Sequence, residues 1–100
     1  MRYYGGLVIK SFKDKETEKV WRREYSKQLP GDIQERSLMK LQQLHAAEDL
    51  KDLSIPASNQ LELLKGERRG QFSIRVNKQW RICFRWDAGH ALDVEIADYH

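Results

Sequence analysis

The chain closes on Asp98-Tyr99-His100, a phenol and an imidazole side by side. A tyrosine hydroxyl can hold a phosphate oxygen and a histidine can carry a proton near neutral pH, so the pair suits phosphodiester cleavage. Chain ends ordinarily fray. Two such side chains directly after a strand-like run therefore imply an end held in a site. A second chemical feature lies between Lys65 and Arg85, where seven basic residues (Lys65, Arg68, Arg69, Arg75, Lys78, Arg81 and Arg85) stand against one acid, Glu67. That stretch carries +6 in a chain of net +3, which leaves −3 for the remainder. Such a concentrated field meets phosphate, on nucleic acid or a membrane surface, or the acidic face of a partner protein; the plain alternative is a solvated basic face.

The elements that must position these residues follow from periodicity. One hundred residues with 40% hydrophobic content suffice for one compact domain, 1–100. Residues 7–12 form a short strand candidate. From Asp14 the chain becomes charged and helix-prone, with Trp21, Tyr25 and Leu29 spaced by four on one face. Pro30-Gly31 breaks it. Asp32 then caps a second helix, Glu35 completes a capping-box spacing, and Ile33, Leu38, Leu41 and Leu44 form the apolar stripe. The two helices make a hairpin, with His45 near the stripe as a helix-edge residue without chemistry. After a loop marked by Pro56, Ser58 and Asn59 the period becomes two. Leu61, Leu63 and Lys65 share one face of a short strand, with Glu62 and Leu64 on the other, and a turn at 66–70 follows. Phe72, Ile74 and Val76, then Trp80, Ile82, Phe84 and Trp86, then Leu92, Val94 and Ile96 alternate with polar or small residues. Three antiparallel strands sharing an apolar face are predicted.

Residues directly opposite each other must share a face, so the alternation also sets the pairing. A three-residue loop Asp87-Ala88-Gly89 puts Trp86 opposite His90 and Arg81 opposite Glu95. A loop Asn77-Lys78-Gln79 puts Phe72 opposite Phe84, Ile74 opposite Ile82 and Arg75 opposite Arg81. Two facing arginines repel, so an anion is expected between them; compensation of Arg81 by Glu95 is the structural alternative. Steps of two carry the polar face on from Glu95 through Ala97 to Tyr99. The basic pair and the phenol thus converge on one open face, with the helix hairpin on the other.

The single cysteine, Cys83, cannot form an internal disulfide and reads as a buried, inert thiol in a reducing compartment. No apolar stretch is long enough to span a membrane, and MRYYGGLVIKSF lacks the pattern of a secretory signal. A soluble, cytoplasmic protein with no membrane partner is expected.

The runs Leu61-Glu62-Leu63-Leu64-Lys65-Gly66, Gly70-Gln71-Phe72-Ser73-Ile74-Arg75-Val76-Asn77, Gln79-Trp80-Arg81-Ile82-Cys83-Phe84 and Asp93-Val94-Glu95-Ile96, leading to Asp98-Tyr99-His100, resemble the HigB toxins of the RelE/ParE superfamily. The likeness covers nearly the whole chain from Val8, and residues 1–7 read as an extension, either an upstream start or an arm. The resemblance implies a small RelE-like α/β (α+β) domain, a helix hairpin packed on a curved, mainly antiparallel sheet. It further implies the toxin of a type II toxin-antitoxin system, acting as a ribosome-dependent endoribonuclease on mRNA in the ribosomal A site and neutralised by a HigA-type helix-turn-helix antitoxin. In that reaction the RNA's own 2′-hydroxyl attacks the adjacent phosphorus, giving a 2′,3′-cyclic phosphate and a 5′-hydroxyl, with no metal or cofactor.

That chemistry needs a base, positive charge at the developing phosphorane, and an acid. Lys65 and Arg81 are the candidates for charge stabilisation and Arg75 for a phosphate clamp, with Arg68, Arg69, Lys78 and Arg85 as further RNA-binding positions. Tyr99 orients the scissile phosphate or stacks on a base. His100, whose own α-carboxylate favours its charged form, is the acid. Some members of the family carry histidine where this chain has Glu62, so Glu62 is either the base or a salt-bridge partner of an arginine. Since neither faces the expected core, deleting His100 or replacing Arg81 by Ala should relieve toxicity without unfolding the domain. Two rival functions remain: a ParE-like toxin that inhibits DNA gyrase without cutting RNA, and a non-catalytic binding module.

Overall fold

The computed structural model describes residues 8–99; residues 1–7 and His100, and with them the expected extension and candidate acid, lie outside these. The first helix, α1, spans Lys15–Trp21 and is capped by Asp14, whose carboxylate accepts from the Thr17 N–H at 2.7 Å. It is shorter than the Trp21, Tyr25, Leu29 spacing predicts. A Schellman turn ends it: the Arg23 N–H donates to the Val20 carbonyl (2.9 Å), the Glu24 N–H to the Lys19 carbonyl (2.8 Å), and Arg23 takes the left-handed conformation at φ 65°. Tyr25 therefore lies beyond the helix and is exposed, and the expected stripe does not form. Gln34 clamps the connection, accepting from the Ser26 N–H and donating to the Ser26 and Leu29 carbonyls.

The second helix, α2, spans Gly31–Ala46 and starts from Pro30, so Asp32 falls in its first turn and no side chain caps it. The expected Asp32/Glu35 capping box is absent because the helix begins two residues earlier, with Pro30 rather than Asp32 at the cap position. Ile33, Leu41 and Leu44 are buried as their spacing demands, and Leu38 is half-buried. His45 is architectural: its Nδ1 accepts from the Ile9 N–H at 3.3 Å and its ring meets Trp21 edge-on. No helix among the described residues is long and apolar enough to cross a membrane.

The strands β1 (Glu62–Leu63), β2 (Phe72–Arg75), β3 (Trp80–Asp87) and β4 (His90–Asp98) form one antiparallel sheet in chain order. Segment 8–13 follows the outer edge of β4 in the parallel sense, with Ile9 beside Ala91 and Phe12 beside Val94. In the short β1 segment Leu63 is exposed and the following Leu64 is buried. The β2–β3 register is the expected one, with Phe72 opposite Phe84, Ile74 opposite Ile82 and Arg75 opposite Arg81.

The β3–β4 pairing is different. The hairpin closes through two residues, Ala88 (φ 50°) and Gly89 (φ 83°), putting Asp87 opposite His90 and Trp86 opposite Ala91. Such an even loop reverses the faces of β4 relative to an odd one. A bulge restores them: Arg85 faces Leu92 but Cys83 faces Glu95, with Asp93 at φ 52° in the inserted stretch. Ile82 then meets Ile96, and Arg81 lies opposite Ala97 rather than Glu95. Ala91, not Leu92, takes the buried position next to the hairpin. Alternation shows that one residue of parity must be supplied, but not whether the loop or a bulge supplies it.

One face of the sheet packs Ile74, Ile82, Phe84, Val94 and Ile96 against Ile33, Leu41 and Leu44 of α2 and Val20 of α1. Thr17 fastens α1 to this sheet, its hydroxyl accepting from the Ile96 N–H at 2.9 Å. The opposite face carries a small cluster of Leu64, Cys83 and Ala97 on which Tyr99 rests.

Candidate active site

Arg81 organises the open face. Although on the polar side of β3, it is only 8% exposed: its Nε donates to Ser73 Oγ at 2.7 Å and its Nη2 to the Gln60 carbonyl at 2.6 Å. The Gln60 backbone is left-handed (φ 47°) as it closes the single turn Ala57–Asn59. A Glu62 carboxylate oxygen lies 3.7 Å from Arg81 Nη2. Glu62 is thus the counter-charge. Glu95, displaced by the bulge, pairs instead with Arg68 at 3.1 Å and Lys13 at 3.8 Å. The repulsion between the facing arginines is offset at Arg81 by three oxygen partners, the Ser73 hydroxyl, the Gln60 carbonyl and the Glu62 carboxylate.

Tyr99 is fixed from two sides. Its N–H donates to the Gln79 carbonyl at 2.7 Å, and its ring lies on the Leu64, Cys83 and Ala97 cluster with the Arg81 guanidinium carbon 5.8 Å from the ring centroid. Gln79 also donates to the Asp98 carboxylate at 3.2 Å, so the β2–β3 turn clasps the strand leading to Tyr99. Cys83 beneath is fully buried, and burial pushes its thiol pKa up, so it is inert packing. Gln60, Arg75, Asn77, Lys78, Arg81 and Tyr99 together line an open cleft of about 410 Å³. Three cations and a phenol converge there on a volume suited to an anionic group.

The other sequence candidates are placed as follows. Glu62 stands beside the cleft, half-exposed, through its contact with Arg81. Lys65 is exposed and follows directly on Leu64, which supports Tyr99, but is not among the lining residues. Arg68 is committed to Glu95 and to Gln71, whose side-chain oxygen accepts at 3.2 Å; the Glu95 hydrogen bond raises the arginine's already high pKa. Arg69 is exposed at the end of the turn Gly66–Arg68. Arg85 lies toward the β3–β4 hairpin, 3.8 Å from Asp93, and is likewise not a lining residue. His100 is outside the described residues.

Sequence reasoning missed Gln60, Ser73 and Asn77. Asn77 carried a signal, since its side-chain oxygen accepts from the Gln79 and Trp80 N–H groups as turn asparagines do. Its place in the cleft wall has no short-range signature, and a backbone carbonyl such as that of Gln60 leaves none at all.

The structure is thus a four-stranded antiparallel sheet covered on one face by two helices, with an arginine-centred cleft on the other. A chain of the YoeB-YefM complex from Staphylococcus aureus shares this fold with a TM-score of 0.55 at 20% identity, over 94% of this chain and 97% of that one. The model of the HigB-like toxins, RelE-like toxins of type II toxin-antitoxin systems, matches residues 10–100. Toxin HigB-1 of Vibrio cholerae serotype O1 is 42% identical over 83 residues, 82% of this chain and 87% of the relative. Endoribonuclease HigB of Proteus vulgaris is 32% identical over 93 residues, 93% of this chain and the whole of the relative. The chain belongs to the HigB-like toxin family.

Proposed function

We propose that this toxin is a ribosome-dependent endoribonuclease that cuts mRNA in the decoding site. The observation that carries this is the cleft in which Arg75, Lys78, Arg81 and Tyr99 converge, with Glu62 at its edge. The scissile phosphodiester sits against Arg81 and Arg75, and Tyr99 orients it from below. Glu62 accepts the proton of the 2′-hydroxyl as that oxygen attacks phosphorus. Arg81, already desolvated and aimed, stabilises the charge that develops on the phosphoryl oxygens. The bond from phosphorus to the 5′-oxygen then breaks, and His100, assigned from its residue type and its place after Tyr99, gives that oxygen a proton. The products are a 2′,3′-cyclic phosphate and a 5′-hydroxyl, and Lys65, Arg69 and Lys78 contribute positive field along the strand.

The relative named as an endoribonuclease supports this reaction over the ParE-like gyrase inhibitor. A HigA-type helix-turn-helix antitoxin is the proposed partner in the cytoplasm, in keeping with a structural neighbour solved as a toxin-antitoxin complex. Mapping mRNA ends after induction of the chain tests the proposal. Ribosome-dependent ends carrying a cyclic phosphate are expected, whereas intact mRNA with double-strand DNA breaks would refute it.

A further inference from the structure

A second cavity adjoins the cleft and shares its wall. Arg36 and Lys40 stand one turn apart on α2. Facing them are Ser58 and the Arg75, Val76, Asn77 run at the end of β2, and together these enclose about 180 Å³. Arg75 and Asn77 line both spaces. No acidic residue lines the second one, and among the described residues no carboxylate lies within 4.0 Å of the charged groups of Arg36, Lys40 or Arg75.

Lys40 is the telling residue. It is only 9% exposed, yet its ammonium meets a single hydrogen-bond acceptor among the described residues, Asn59 Oδ1 at 2.6 Å. Asn59 is itself anchored through its amide nitrogen to Gln43 and to the Leu53 carbonyl, which fixes the direction of the lysine. An ammonium has three donors, so capacity is left over toward the cavity. Burial, and the Arg36 charge beside it, hold the Lys40 pKa below the ordinary lysine value. An i,i+4 pair of like charges with one member buried is unfavourable by itself and becomes favourable once an anion lies between its members.

We propose that this cavity is a second phosphate subsite that holds a backbone phosphodiester of the same mRNA strand, next to the scissile one. The proposal rests on the nuclease reading of the adjoining cleft. Arg75, standing in both walls, contacts the strand between the two phosphates. Arg36 and Lys40 grip the outer phosphate and so set the register in which the scissile bond meets Arg81.

The test uses ribosomes programmed with mRNAs in which one phosphate at a time, on either side of the cut, is a neutral methylphosphonate. Single-turnover cleavage by the wild type should slow about tenfold or more at one neighbouring position, as expected for the loss of a charge-assisted contact. Arg36→Gln, at an exposed position where the thermal transition verifies folding, should slow cleavage of unmodified mRNA similarly and lose little further on that methylphosphonate, because both changes remove one contact. Wild-type rates for Arg36→Gln, or additive losses at every position, overturn the subsite while leaving the nuclease reading intact. Additive losses together with weakened ribosome binding place the contact on ribosomal RNA and overturn it too. So does an Arg36→Gln variant that cuts normally but is no longer bound by its antitoxin. If the wild type fails to cut programmed ribosomes at all, the nuclease reading falls and takes the subsite with it.

Discussion

Replacing Arg81 should cost both stability and activity, and the two losses can be measured separately. By strand alternation its side chain faces away from the core, which implies that Arg81→Ala leaves the fold untouched. The structure corrects this. Arg81 supplies the donors for the fully buried Ser73 hydroxyl and for the Gln60 carbonyl. Removing the guanidinium orphans the hydroxyl, at about 1–3 kcal/mol, and forfeits a charge-assisted bond to the carbonyl, at about 1.5–3 kcal/mol. The attraction to Glu62, whose side chain is 53% exposed, adds only about 0–1 kcal/mol after solvent screening. The combined loss, about 2.5–7 kcal/mol, leaves a typical small domain folded in the cold over the lower part of that range. At about 4–8 °C per kcal/mol it lowers Tm by roughly 10 °C or more. Arg81→Lys keeps the charge but reaches only one of the two acceptors, so its Tm should fall by about half as much. Thermal unfolding followed by circular dichroism reads the first effect. Single-turnover mRNA cleavage on programmed ribosomes, below the variant's transition, reads the second: removing a preorganised charge donor should slow Arg81→Ala about 10²–10³-fold. A Tm within about 2 °C of wild type would refute the structural reasoning, and cleavage by folded Arg81→Ala within about tenfold of wild type would refute the catalytic one.

Glu62→Gln keeps an acceptor for Arg81 but removes the base, so kcat should fall about 10²–10⁴-fold with ribosome binding unchanged; near-normal cleavage would remove Glu62 from the mechanism and leave it a salt-bridge partner. His45 bears on pH. Burial holds its native pKa below the ordinary imidazole value. The unfolded chain therefore binds more protons as pH falls through about 6.5, so stability is full above that range and lost below it. Urea midpoints should drop between neutral and mildly acid pH, and drop less in His45→Gln, which retains an acceptor for the Ile9 N–H; equal drops in both proteins would exclude His45 as the cause. Arg23→Gly at the left-handed end of α1 should raise stability by about 0.5–1 kcal/mol, the relief of backbone strain less the entropy of glycine, and a lowered Tm would show that the Arg23 side chain matters more than its φ.

Most of what the chain is can be read from its pattern. The period-two runs after Leu61 and the stripe of Ile33, Leu41 and Leu44 give the sheet, the second helix and the core face. The β2–β3 register follows from them, because only an odd loop keeps Ile74 opposite Ile82. Boundaries read less well. α1 stops at Trp21 because Arg23 accepts a left-handed φ that no composition rule flags, and α2 takes Pro30, not Asp32, as its N-cap although Pro30 has no side-chain oxygen to offer the first turn.

Sequence by itself determined the family, the two faces of the sheet and the confrontation of Arg75 with Arg81, since each depends on residue order and alternation. Only the tertiary structure decided which acid answers Arg81. One inserted residue near Asp93 carries Glu95 to Arg68, while the left-handed turn at Gln60 brings a carbonyl, and β1 brings Glu62, to the arginine instead. It also joined Arg36 and Lys40 of α2 to Arg75 of β2, residues at least 35 positions apart in the sequence. The physical reason is the same in both cases. Alternation repeats along one strand and can be read locally, whereas a bulge, a backbone carbonyl and the packing of a helix beside a sheet are set by contacts between segments that carry no mark of one another.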